Sequence, residues 1–416
     1  MKKLSNIIQF ILLFMLISLV IMSNSLTNIN SIFENVDELY IILIFITFVI
    51  ILLSNNLKIN FYKEEKKIVY SVLSLITIGC VSSYVFKYQS TQIVISELLV
   101  FLKFIVTFLL VRQIYRGFNI YKYKGSIIII CNILTIGMFL LLIIDTIWSV
   151  FPTIGYRYGL KAYSLIFTHP TYLAGFAFTM ICLYTTFKDA DKKKYININL
   201  ILMASTLRNK AIIFIFIFIL LNMINKKKII KINRNTKVML FILGVLAVIF
   251  IFSDAISERI LDESTARNIL YSKSFIIAKD HFPLGAGLGT FASYISGEYY
   301  SPLYFKYGIS NIYGLTSDNF KYVADTFWPQ VVSQFGFLGL LIFLIILYNL
   351  FKMTMNIKDQ SIKFSSILIL IYILISSTSE AIFNTYLGIG LFSILAIFIN
   401  TDKYTEENYE EKSINS

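Results

Sequence analysis

The sequence predicts an all-α polytopic membrane protein with about 12 transmembrane helices and one large extracellular loop between spans 9 and 10. Three observations carry this. Hydrophobic side chains make up 57% of the 416 residues and charged ones 15%, at a mean hydropathy of +0.74. A soluble domain carries about 25% charged and 45–50% apolar residues. The apolar residues also fall into long uninterrupted runs of the length a membrane span requires. One stretch, 254–330, breaks the pattern with charged and aromatic residues.

The expected spans are approximately 5–25, 38–54, 68–86, 92–112, 126–148, 170–187, 195–207, 209–225, 238–253, 331–350, 364–380 and 385–400. The first has no small-residue cleavage site behind it and reads as a retained span. The chain thus divides into an N-terminal transmembrane bundle (1–253, about nine spans), the large loop (254–330), C-terminal spans (331–400) and an acidic tail (401–416), expected to be solvated. Cys80, Cys131 and Cys182 all lie in apolar runs, without disulfide or metal-ligand spacing, and read as packing residues.

The net charge of +13 invites a polynucleotide partner, but its distribution argues against nucleic acid. With the amino terminus inside, 25 of the 37 Lys and Arg fall in inner segments, and the outer segments 26–37 and 381–384 carry none. This is the positive-inside pattern. An even number of spans places both termini in the cytoplasm and 254–330 outside the plasma membrane. A loop of that length is uncommon unless functional. No repeat and no inverted pairing of broken helices is visible, as a secondary transporter often shows.

The loop holds 15 aromatic residues, eight acids and six bases. Such a mixture suits sugar rings, and suits a membrane-interface belt equally well. Within it, His281-Phe-Pro-Leu-Gly285-Ala-Gly287-Leu-Gly289 is a glycine-rich turn. Its N–H groups could face an anionic or hydroxyl-rich ligand, or the glycines could simply make a tight turn at the membrane surface. An amphipathic helix is expected over 264–280, with Tyr271, Phe275 and Ala278 on its apolar face and Arg267 upon it. Arg208 stands at the outer junction of two short apolar segments, with Lys210 two residues on. Arginine at membrane depth is costly and marks function by default, and its planar fork suits a pyrophosphate. His169, before Pro170, reads as a helix cap or a substrate ligand. Asp318 and Asp325 precede the tenth span, either as helix caps or as a base for a sugar hydroxyl.

Taken in order, four pieces resemble the O-antigen ligase/polymerase membrane family, the Wzy-type repeat-unit polymerases. They are Phe167-Thr-His169-Pro-Thr-Tyr-Leu-Ala-Gly, Ser205-Thr-Leu-Arg208-Asn-Lys-Ala, then Ala266-Arg267 with Phe282-Pro-Leu-Gly285-Ala-Gly287-Leu-Gly289-Thr-Phe, and Ala324-Asp325-Thr-Phe leading into Gln334-Phe-Gly336-Phe-Leu-Gly339. They cover about 167–342; the earlier residues match only as hydrophobic spans. The resemblance implies a metal-independent, cofactor-free, inverting glycosyltransferase on the outer face of the membrane. It would move a growing glycan on undecaprenyl pyrophosphate onto another lipid-linked oligosaccharide, building capsular, exopolysaccharide or O-antigen-type polymer, with a flippase and a chain-length regulator as partners. By motif match, Arg208 and Arg267 hold the pyrophosphate; Asp325, the carboxylate at the motif position, is the candidate base. Ligases of the family usually carry histidine near the position of Asp325, and this chain departs from that pattern. The alternatives are a ligase of the same family, a lipid-linked oligosaccharide flippase, and a non-enzymatic partner in an envelope complex.

Overall fold

The computed structural model describes residues 36–54, 61–187, 192–226 and 265–414. The expected spans 5–25 and 238–253 lie outside them. The described residues are mostly helical, with one two-stranded hairpin, and six of their helices are long and apolar enough to cross a membrane. These are α1 (Val36–Ser54), α2 (Lys63–Phe86), α3 (Thr91–Ile114), α4 (Lys124–Trp148, entered through the 3₁₀ turn Ile120–Tyr123), α11 (Trp328–Met355) and α12 (Gln360–Ser377). Between them lie the hairpin β1 (Tyr156–Arg157) and β2 (Leu160–Lys161), and helices α5 (Pro170–Thr186), α6 (Lys192–Ser205) and α7 (Asn209–Lys226). Next come α8 (Ala266–Asp280) and the short α9 (Tyr294–Glu298) and α10 (Pro302–Lys306). After α12, the 3₁₀ turn Ile382–Asn384 leads into α13 (Tyr386–Ile414).

Composition decides which helices face lipid. α1 and α4 leave Leu39, Ile42, Phe45, Ile129, Ile133 and Leu140 exposed, an apolar surface that water would not tolerate over such an area. α5 is the opposite case: every residue except Tyr172 and Thr185 is buried, because a helix that is apolar all round can sit only inside a bundle. The expected span at 195–207 is α6, of 14 residues. At 1.5 Å per residue it reaches about 21 Å, short of a hydrocarbon core of about 30 Å. α13 continues past the expected end of the last span to Ile414, since Glu and Lys are good helix formers.

Several ionisable groups inside the bundle are paired, which keeps their burial tolerable. Lys103 bridges Asp37 at 3.1 Å and Glu38 at 3.0 Å; Lys161 of the hairpin meets Asp145 at 2.9 Å. At the opposite end, fully buried Arg112 holds Glu65 at 2.6 Å and also bonds Asn400. Cys131 and Cys182 are buried as packing residues, whereas Cys80 is exposed on α2.

The loop folds as a cap with its own small core of Leu270, Phe291, Leu303, Tyr304, Leu315 and Val323. α8 begins at Ala266 and buries Leu270, Ser274, Ile277 and Ala278. Phe275, expected on that face, is exposed, because the buried stripe runs i, i+4, i+7, i+8 from Leu270 and leaves position 275 outside it.

The cap is locked to the bundle at a broken helix. Gly336 in α11 has φ 65 and ψ −167, so the helix is interrupted there. The freed carbonyls of Ser333 and Gln334 accept the N–H groups of Ala286 and Gly287 at 2.8 and 3.0 Å, and Leu338 N–H donates to Pro283 O at 3.3 Å. Non-helical backbone at membrane depth survives only when re-satisfied in this way. A Cβ on Gly336 would collide with the backbone nitrogen of Gly285. Gly336→Ala is therefore expected to destabilise the protein by at least ~2 kcal/mol. Thermal unfolding of the detergent-purified protein checks this; a transition unchanged from wild type would refute the packing role.

A second lock is buried Glu97 of α3. It accepts Gln330 and Gln334 amides at 2.8 Å each and the Ser293 hydroxyl at 2.9 Å. Gln330 in turn accepts the Asn384 amide at 2.9 Å. One carboxyl thus joins α3, the cap, α11 and the turn before α13. Glu97→Ala leaves three buried donors without their acceptor, and is expected to lower the thermal transition clearly while Glu97→Gln lowers it less.

Candidate functional site

Helix ends gather at the cap side of the bundle: the starts of α5, α7, α8, α11 and α13 and the end of α12. The segment joining α12 to α13, Ser377 to Glu380, is the hub. Trp328 Nε1 donates to Ser377 Oγ at 3.0 Å, and Tyr271 OH donates to the Thr378 carbonyl at 3.0 Å. Arg267 Nη2 reaches the Ser379 carbonyl at 3.4 Å, and Lys210 Nζ meets Glu380 Oε2 at 2.6 Å.

Arg208 occupies the link between α6 and α7, where Leu207 takes φ 50 and the Arg208 carbonyl accepts the N–H groups of Ala211 and Ile212. The Arg208 side chain turns toward the start of α5 beside this link. There its Nη2 lies 2.6 Å from His169 Nε2. His169 is the N-cap of α5, ahead of Pro170 at the first helical position, and its Nδ1 faces the Thr171 N–H at 3.3 Å. Burial, reinforced by Arg208, Lys210 and Arg157, lowers the His169 imidazole to about 4. It is neutral at physiological pH.

Arg267, in the first turn of α8, pairs with Asp325 Oδ2 at 3.3 Å, each side chain remaining about a third exposed (34% and 40%). Desolvation raises the Asp325 carboxyl above the usual carboxylate range, and Arg267 opposes the rise. Asp325 does not cap α11, whose N-cap is Phe327 with no side-chain cap bond. Its carboxylate faces an arginine instead. Burial lowers Arg208 to about 10, aided by Arg157 and opposed by Glu380, and the group stays charged at neutral pH. Arg208 Nε and Arg267 Nε are both buried with no acceptor. Four cations (Arg157, Arg208, Lys210, Arg267) thus stand against two carboxylates (Asp325, Glu380), with mutual electrostatic influence among them. The excess favours an anion, and the unused guanidinium donors suit oxygen acceptors.

In comparisons with family models and with curated proteins, nothing matches this chain.

Of the residues expected from sequence, His169, Arg208, Lys210, Arg267 and Asp325 come together. Asp318 does not: its side chain is exposed and accepts from neighbouring Ser317 at 3.3 Å. The glycines correct the ligand expectation. Gly285, Gly287 and Gly289 have φ of 79, 98 and 70, and each donates its N–H within the protein, to His281 O, Gln334 O and Gln334 Oε1 respectively. They serve the broken-helix lock and hold no free N–H for a ligand. The aromatics divide likewise. Phe291 and Tyr304 are core, while Tyr294, Tyr299, Phe305 and Tyr313 remain exposed. Two site residues escaped the sequence reading. Glu380 drew no expectation as a site residue, although a lone acid in 360–400 is itself a functional signal. Arg157 sits in Gly155-Tyr-Arg157-Tyr-Gly159, a turn sequence that raises a charge beside the helix ends.

Proposed function

We propose that the protein is a polymerase of lipid-linked oligosaccharide repeat units, joining them by inverting glycosyl transfer from a polyprenyl pyrophosphate. The observation that carries this reading is the convergence of Arg208, Lys210 and Arg267 with Asp325 at one end of a membrane bundle. Guanidinium forks beside a carboxylate of raised affinity for protons meet the two needs of the reaction. The arginines neutralise the departing pyrophosphate, and Asp325 takes the proton from the incoming sugar hydroxyl. Exposed Tyr294, Tyr299 and Tyr313 on the cap offer faces for sugar rings. Purified protein supplied with lipid-linked repeat units tests the reading. A polymer ladder is expected; translocation without ladder would favour a flippase.

The topology that goes with this function has both termini in the cytoplasm and the cap outside the plasma membrane. The cation distribution supports it. In a background lacking Cys80, Cys131 and Cys182, single cysteines in 290–315 are expected to react with an impermeant maleimide on intact cells. Single cysteines in 226–237 should react only after permeabilisation. Reversal of these two patterns would put the cap inside and remove the lipid-pyrophosphate reading.

A further inference from the structure

His169 presents a conflict of donors. Its Nδ1 faces the Thr171 N–H at 3.3 Å and its Nε2 faces an Arg208 guanidinium nitrogen at 2.6 Å. A neutral imidazole has one nitrogen able to accept, and both neighbours can only donate. The shorter, charge-assisted contact holds the lone pair on Nε2, so Nδ1 carries the hydrogen and accepts nothing from the Thr171 N–H. A protonated imidazole would have no lone pair for Arg208 at all. The groups facing the ring are cations from two elements, Arg208 and Lys210 around the start of α7 and Arg157 on the hairpin, with Tyr172 of α5 stacked against Tyr386 of α13 alongside. Glu380 is already engaged by Lys210.

An anion placed among these groups reverses the balance. Its oxygens accept from the Arg208 fork, so the guanidinium no longer needs the imidazole nitrogen. Its charge offsets the cations that keep the ring neutral. We propose that His169 and Arg208 form a proton-linked anion site, in which a phosphate-type anion displaces Arg208 from Nε2 and His169 takes up a proton from solvent to become a second donor. This rests on the reading of the cluster as a pyrophosphate site and adds the proton to it. The sign follows. The free ring is neutral down to about 4, and the bound ring protonates at higher pH, so binding strengthens as pH falls between those two points. The gain is up to tenfold per pH unit for one proton.

The chain has only two histidines, which makes the test direct. Protein labelled with ¹⁵N-histidine, in phosphatidylcholine nanodiscs, is titrated with inorganic pyrophosphate at pH 6–7. His281, bonded to Ile277 O and Tyr88 OH, serves as the internal reference. The His169 nitrogens are expected to move from the neutral to the doubly protonated signature. Calorimetry in buffers of different ionisation enthalpy should count up to one more proton for wild type than for His169→Asn, which keeps the helix cap. The ligand's own titration cancels in that difference. Nanodiscs containing phosphatidylglycerol separate the two sources of anion. Protonation by the anionic lipid alone would identify a headgroup, and protonation only after pyrophosphate would identify the pyrophosphate. Pyrophosphate that binds with equal proton counts in both proteins overturns the proton linkage and leaves the anion site standing. Absence of binding at every pH overturns both.

Discussion

Asp325→Asn is expected to lower polymer formation by roughly 10²–10⁴-fold, the contribution of a positioned base, at an unchanged level of protein in the membrane. Asparagine fills the same space and can accept a bond from Arg267, so the pairing that places α8 against the segment before α11 survives. What it loses is the capacity to take a proton. The same substitution at exposed Asp318 should leave the rate near wild type. The pH dependence carries the second half of the prediction. Because burial lifts the Asp325 carboxyl, the rate should fall on acidification at a pH above the usual range near 4 for carboxylates. Removing Arg267 takes away the group that opposes the rise, so the acid limb of any residual activity in Arg267→Ala should move to still higher pH. Initial rates of ladder formation across pH 4–8 measure both effects. An Asp325→Asn enzyme with near-normal rates would reject the base.

Loss of either arginine fork is the other large effect. A charge-assisted hydrogen bond is worth about 1.5–3 kcal/mol, so Arg208→Ala or Arg267→Ala should each slow transfer by about 10–100-fold, the double variant by more. Arg→Lys keeps the charge and loses the planar fork, and should recover little of the rate. The two positions differ in one respect. Arg267 also holds Asp325 and the Ser379 carbonyl, so its removal should disturb acceptor activation as well as the donor. Among the described residues Arg208 hydrogen-bonds His169 and not Asp325, so its loss should act mainly through the donor. Kinetics with donor and acceptor varied separately would show the difference; full-length polymer from both alanine variants would refute the assignment.

The charged residues that matter were visible in the sequence because apolar surroundings make them conspicuous. Arg208 and Lys210 interrupt a hydrophobic stretch, and His169 before Pro170 announces a helix start. Their partners were not visible. Glu380 lies 170 residues beyond Lys210, and Asp325 lies 58 beyond Arg267; no periodicity relates such positions. Glu97 was equally opaque. Its three donors are Ser293, Gln330 and Gln334, brought by the cap and by α11 from nearly 200 residues or more along the chain.

Helical class and membrane residence were determined by the sequence itself, through run length and the scarcity of charge. Both are properties of a segment and its solvent, and need no knowledge of neighbours. Tertiary structure alone decided the role of the glycines and the composition of the site. Gly285 and Gly287 suggest an open ligand cradle when read in line. Opposite the interruption at Gly336, they are where two backbones meet and exchange hydrogen bonds. Likewise, whether an arginine faces an imidazole, a carboxylate or lipid depends on how helices from distant parts of the chain end beside one another. That arrangement is set by packing across the bundle, and local pattern does not encode it.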